Sequence, residues 1–284
     1  MTAAAAPAEA LAGIRSALER GIAVPYLGPG VLSIAGDACA LPASPVELVE
    51  RLTAKAAVPH KIRKNLTAAA QFIENFKHRK TVSAAMSAAF AGPAAPTALH
   101  RYLAALPALP LLVHAWYDDL PQQALDARDD WGMVQGVSQA EHFGTWVHYF
   151  APDGTPVTAD RARWPTLLYQ PFGSIAPAAN YLVSDSDFVE VLTEIDIQTP
   201  IPDAVVALRA GRRFLFLGCR FATQLDRIFA RQIMKRSSSA HWAVFTGEPT
   251  RNEARFMAEL GIERVEVSLE EFLAAVSDTG AGVE

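Results

Sequence analysis

Ile22-Ala23-Val24-Pro25-Tyr26-Leu27-Gly28-Pro29-Gly30-Val31-Leu32-Ser33 reads as a short apolar strand that runs straight into a turn bracketed by glycines. In a doubly wound α/β sheet the first strand-to-helix turn is where a dinucleotide phosphate sits. Glycines there let the backbone approach, and the amides of the following helix supply positive potential. Pro29 has no N–H, so this turn has one donor fewer to offer an anion. Two glycines two apart are a common loop pattern, and the reading depends on what the rest of the chain adds.

Composition narrows the classes. With 284 residues the chain can bury roughly three-quarters of its unfolded surface. Hydrophobic residues at 51% against 19% charged ones describe a packed globular protein, not a disordered one. The formal net charge is −5 with no long Lys/Arg run, which argues against a nucleic-acid surface. Lys61, Arg63, Lys64, Lys77, Arg79 and Lys80 form the most basic region, and a solvated helix face explains them more simply than an RNA site. Cys39 and Cys219 lie far apart, so neither a disulfide framework nor a cysteine metal site is indicated. The alanine-rich Met1–Ala12 segment lacks a basic start and a long apolar core. No signal peptide or membrane span is read, and a reducing, cytoplasmic home is expected.

Apolar spacing predicts a helix over 7–20 that stops at Gly21. Ser44-Pro45-Val46-Glu47 is a capping box that opens a helix to about residue 56. Three more helices follow over 66–76, 81–90 and 97–106, with Leu66, Ala69, Ile73 and Phe76 as the apolar set of the first. So long a helical run exceeds one crossover, and it reads as a helical subdomain over 45–106 inserted after the first strand. Leu111–Trp116 is a continuous apolar run, as a buried parallel strand should be. Strands at 133–139 and 145–150, with Asp153-Gly154 as a hairpin turn, make a small β element over 130–165. A strand at 166–169 and a helix at 187–197 come next. Alternating strands (213–218, 241–245, 264–267) and helices fill the last third, including a helix over 223–234 with Leu225, Ile228 and Phe229 inward. Residues 278–284 read as a loose tail. The expectation is a single α/β domain over 1–284, with a Rossmann-like parallel sheet flanked by helices.

Four segments, in this order, resemble the sirtuin-like family in its short bacterial branch. Gly28-Pro29-Gly30 is similar to the family's Gly-Ala-Gly-x-Ser loop. His114-Ala115-Trp116-Tyr117-Asp118 sits where the family has Thr-Thr-Asn-Tyr-Asp. Gln170-Pro171-Phe172-Gly173-Ser174, followed by Tyr181 to Phe188, resembles a Leu-His-Gly-Ser segment. Phe214 to Cys219 is similar to the strand and glycine that face the cofactor. The resemblance implies an NAD-binding fold, with Gly28, Gly30, Ser33, Tyr117, Asp118, Gly173, Ser174 and Gly218 around the nucleotide. The family's chemistry removes nicotinamide from NAD, with an asparagine positioning the ribose and a histidine as general base. Here those positions hold Trp116 and Phe172, neither of which accepts a proton. Leu32 stands in place of the loop serine, and Cys219-Arg220-Phe221-Ala222 lacks the usual serine and aspartate.

The resemblance therefore implies a catalytically degenerate sirtuin-like protein, a binding or accessory subunit with no catalytic residue and no metal. A nucleotide-sized cleft, for NAD or ADP-ribose, is expected to remain. The expected partner is a protein or a second copy, with no nucleic acid and no membrane. Two alternatives stay open: an active NAD-consuming hydrolase of the bacterial defence type, and a pure protein–protein module accessory to a metabolic cluster such as nitrogen fixation. Outside the resemblance, His114 with Asp118 and Asp119 reads more simply as a hydrogen-bonded histidine near a helix cap than as an acid/base pair. His142 and His148 share a face without a third metal ligand. Trp131, Phe143, Trp146, Tyr149 and Phe150 read first as core, with a protein-binding patch as the sharper alternative.

Overall fold

The computed structural model describes residues 7–159, 161–194 and 201–278. Strand β1 (Ala23–Leu27) is buried along its whole length and sits near the middle of the sheet. Helix α1 (Pro7–Glu19) leads into it through a turn at Gly21, whose φ of +65° is open to glycine at little cost. After β1 the chain passes through a 3-10 stretch, Pro29–Ala38, in place of a regular α-helix. It then builds α2 (Pro45–Thr53), α3 (Leu66–Lys77), α4 (Arg79–Phe90) and α5 (Ala98–Ala104). The Ser44–Glu47 box caps α2 as its spacing predicts, with the Glu47 amide donating to Ser44 Oγ.

The sheet continues with β2 (Leu111–His114), α6 (Leu120–Leu125), β3 (Trp131–Gly136), β4 (Val147–Phe150), β5 (Pro156–Val157) and β6 (Thr166–Gln170). A two-stranded pair, β7 (Gly173–Ser174) with β8 (Asn180–Tyr181), follows, then α7 (Asp185–Glu194) and α8 (Asp203–Arg209). The last third holds β9 (Arg213–Leu217), α9 (Gln224–Met234), β10 (His241–Val244), α10 (Arg251–Leu260), β11 (Ile262–Val265) and α11 (Leu269–Ser277). Nine strands line up in the order β11-β10-β9-β1-β2-β6-β3-β4-β5. Pairing is parallel from β11 to β3 and antiparallel only through the β3-β4-β5 meander.

Period-two alternation sorts the buried strand residues onto two faces. Val24, Tyr26, Leu111, Val113, Phe214 and Phe216 pack with α7 to α10 on one side. Ala23, Leu27, Leu112, Leu215 and Leu217 pack with α1, α5, α6 and α11 on the other. A third core, built on Leu48, Leu52, Ile73, Val82, Met86 and Phe90, belongs to the helical insert and takes in Trp116, Tyr117 and Tyr181. The chain turns outward from β1 to β2 and later returns to β9, so the sheet reverses direction between β1 and β9. In open α/β sheets such a point is where ligands bind.

Several expectations need correction. Phe76 does not join the inner face of α3: it is 69% exposed, with its ring 4.4 Å from that of half-buried Phe72. Arg79 is not on a solvated face; its guanidinium is folded in against Asp187 at 2.8 Å. Leu225 and Ile228 are only half-buried, and α9 seats itself through Phe229, Ala230, Ile233 and Met234. The last strand runs over Ile262–Val265, two residues early, because Gly261 caps α10 in the left-handed region and the strand starts at once. Strand β3 stops at Gly136, not near 139. Phe143 is 96% exposed and belongs to no core, whereas Trp131 is fully buried in the sheet. The 187–197 helix begins earlier, at Asp185; its predicted end at 195–197, the 1–6 start and the 279–284 part of the tail lie outside the described residues.

Candidate functional site

The candidate site is the carboxyl edge of β1, β2, β6 and β9. At the reversal point the glycine turn meets Gly218 directly. The Gly28 amide donates to the Leu217 carbonyl at 2.9 Å, and the Gly30 amide to the Gly218 carbonyl at 3.0 Å. The Val31 amide turns back to the Gly28 carbonyl at 3.2 Å. With Pro29 lacking an N–H, backbone carbonyls answer the donors of residues 28 to 31. The approach is close: a Cβ on Gly28 would stand 2.6 Å from the Gly218 oxygen, and one on Gly30 would stand 2.9 Å from it. The glycines are therefore explained by the chain's contact with itself. Ser33 is exposed, and its hydroxyl donates to the Gly30 carbonyl.

The second group of predicted residues gathers beside β2. The Ile175 amide donates to the Tyr117 carbonyl at 2.8 Å, and Ser174 Oγ donates to the Asp118 carbonyl at 3.2 Å. Gly173, at φ +79°, lies so close to β8 that a Cβ would sit 2.1 Å from the Asn180 oxygen. Trp116 is buried, its indole N–H donating to the Pro42 carbonyl at 2.9 Å. The Tyr117 hydroxyl donates to the Leu182 carbonyl at 2.7 Å, and burial pushes its pKa far up. Rings continue from there. Trp116 to Tyr117 is 5.1 Å, Tyr117 to Phe172 is 6.3 Å, and Phe172 lies 5.3 Å from Phe188 and 5.2 Å from Phe229. This aromatic chain ties the core of the helical insert to the core of the sheet. Beyond Phe229, a cavity beside Tyr169 and Leu182 has only about 10 Å³ of space for water-sized spheres.

Asp118 faces away from solvent. Its Oδ1 accepts from the Leu120 amide at 3.1 Å, and its Oδ2 lies 3.2 Å from His114 Nε2. Burial pushes the Asp118 pKa up, but the His114 and His100 imidazoles and the Leu120 amide outweigh it and hold the carboxyl below its ordinary range. His100 completes the cluster, with its ring 6.5 Å from that of His114. Its Nδ1 accepts from the Thr97 amide at 3.2 Å, which leaves the proton on Nε2. Burial lowers its pKa to about 4. All three residues are at most 2% exposed, so the cluster is closed off from solvent.

Sequence reasoning missed a neighbouring polar layer. Gln135 and Gln170 lie near the carboxyl ends of β3 and β6 as register partners, and their amides bond at 2.8 Å. Gln122 from α6 joins them, donating to Gln170 Oε1 at 3.2 Å and to the Ala176 carbonyl at 3.0 Å. The available signal was one polar residue near the carboxyl end of each apolar strand. His142 and His148 do come together, with rings 4.9 Å apart, and His142 bonds Asn180. Among the described residues no group of three or more His, Cys, Asp or Glu is arranged to hold a metal ion, and no helix is long and apolar enough to cross a membrane.

Comparison with known families places this architecture. A family model for the SIR2-like domain matches residues 110–265, more than half of the chain. The chain belongs to this SIR2-like family, in agreement with its α/β sheet and with the sirtuin-like resemblance of its motifs. The matched span runs from β2 to β11 and leaves out β1, its glycine turn and the helical insert. Comparison with curated proteins gives no match.

The buried histidines set an acid limit on stability. His241, whose Nδ1 accepts from the Phe214 amide at 2.9 Å, is also lowered to about 4, mainly by burial. Both histidines bind protons less readily folded than unfolded, where the value is 6.5. The unfolded state thus takes up more protons below pH 6.5, and stability falls as pH drops from there to about 4. The His100 site alone contributes up to about 3 kcal/mol of that loss. Urea denaturation at a series of pH values is expected to show a falling midpoint across this window. The fall should become shallower in His100→Asn and His241→Asn, each of which keeps an acceptor near the Nδ1 position.

Proposed function

We propose that this chain is a catalytically degenerate SIR2-like protein that acts as a binding or accessory subunit and does not cleave NAD. The observation that carries the reading is the engagement of the Gly28 and Gly30 amides by the carbonyls of residues 217 and 218. A pyrophosphate held at this turn needs those amides free. The aromatic chain supports the same reading. Trp116 and Phe172, at the positions where the family has asparagine and histidine, are tied into neighbouring cores and carry no proton-accepting group for a ribose hydroxyl. On this reading neither NAD nor ADP-ribose is a resident cofactor, and the chain works through its surface, on a protein partner or a second copy, in the cytoplasm.

Incubation with NAD, with nicotinamide followed by chromatography, tests the proposal. No release above the protein-free rate is expected. Turnover that disappears in Asp118→Asn or His114→Gln would establish the rival reading, an NAD-consuming hydrolase with displaced catalytic groups.

A further inference from the structure

Helices α9 and α10 follow the adjacent parallel strands β9 and β10 and pack on the same face of the sheet, through Phe229 and Ile233 and through Phe256 and Met257. Between their outer sides runs an open groove of about 460 Å³. From the structure we infer that this groove is a docking site for an acidic segment of a partner protein.

Charge complementarity carries the inference. Arg227 and Arg231, four residues apart on one face of α9, and Arg255 from α10 all line the groove. One carboxylate, Glu259, lines it with them. The groove therefore carries two net positive charges in a chain whose formal net charge is −5. Glu259 bridges the two helices, at 2.8 Å from Arg231 Nη2 and 2.8 Å from Arg255 Nε. A guanidinium has five N–H donors, so each of these arginines keeps donors for a second carboxylate, in the planar forked geometry that carboxylates match. Arg227 is held in place by its bonds to the Phe221 and Ala222 carbonyls. Half-buried Ile228 and the ring of Phe256, with the Arg231 guanidinium 5.9 Å above it, form an apolar floor that suits a side chain.

A nucleic acid fits less well. Tight phosphate binding draws on roughly six to ten basic contacts along a stripe, whereas this groove holds three arginines and a carboxylate. The site contains none of the residues at the strand ends, so the inference stands whether or not the chain turns over NAD.

Fluorescence anisotropy on the full chain tests it, with a labelled short oligoglutamate as the probe and a single-stranded oligonucleotide and an oligolysine as comparisons. Saturable, salt-sensitive binding of oligoglutamate alone is expected. Glu259→Gln frees both arginines and should tighten binding about threefold. Arg231→Glu together with Arg255→Glu should weaken it about tenfold or more. The two arginine side chains are 50% and 79% exposed, so the fold should persist, and circular dichroism checks that it does. Glu259→Gln moves affinity in the opposite direction to a general loss of structure, which separates the two causes. No saturable binding, binding indifferent to these changes, or tighter binding of the oligonucleotide would overturn the inference.

Discussion

Replacing Gly218 with alanine is expected to cost about 2 to 5 kcal/mol of folding stability. Two effects add. Gly218 has φ +64°, in the left-handed region, where an L side chain costs roughly 1–2 kcal/mol. Its Cβ would also stand 2.4 Å from the Val31 nitrogen and 2.8 Å from the Gly30 carbonyl carbon. Those are backbone atoms, so relief requires parting β1 from β9 at the reversal point. Gly211 provides the comparison: φ is +70° but a Cβ there meets nothing within 4 Å. Gly211→Ala should cost only the conformational part. Urea denaturation of the two variants separates strain from collision, and equal losses would mean that the junction is not as close as described.

Arg79→Met is expected to cost about 3 to 5 kcal/mol, the usual result of leaving a buried carboxylate without its partner. The guanidinium is 11% exposed and Asp187 only 2%. Burial lowers the Arg79 pKa, but Asp187, Glu141 and Glu74 outweigh it and keep the cation favoured. Asp187 also accepts from the Val183 and Ser184 amides at 2.8 and 2.9 Å, and from the Ser138 hydroxyl. Arg79 further bonds the Tyr181 carbonyl and lies 3.2 Å from Glu141. One side chain from α4 thus joins the insert to α7, β8 and the loop before β4. Thermal denaturation should show the full loss in Arg79→Met and a much smaller one in Lys80→Met, whose exposed charge lies next to it in sequence.

The parallel sheet was legible because its signals are local. Continuous apolar runs at Leu111–Trp116 and Arg213–Gly218 mark strands buried on both faces, and both form. The glycine turn was legible as a close approach, but not as to what approaches. That depends on the register of β1 with β9, a pairing of distant segments that no local pattern encodes. Arg79 was lost for the same reason: beside Lys77 and Lys80 it looks solvated until α7 brings Asp187 to it. Phe76 shows the converse, since helical spacing marks an apolar stripe and says nothing about whether a neighbour covers its end. The four-residue spacing of His114 and Asp118 puts them in contact because the chain leaves β2 and turns, with Asp118 Oδ1 accepting from the Leu120 amide at the start of α6.

In the proposed reading the chain fills its own SIR2-like cleft. Titration calorimetry of NAD and of ADP-ribose into the intact protein tests it most directly. No binding heat for either ligand is the predicted result. A saturable isotherm that weakens in Gly30→Ala would contradict it, because it would place the phosphates on amides that are bonded to residues 217 and 218.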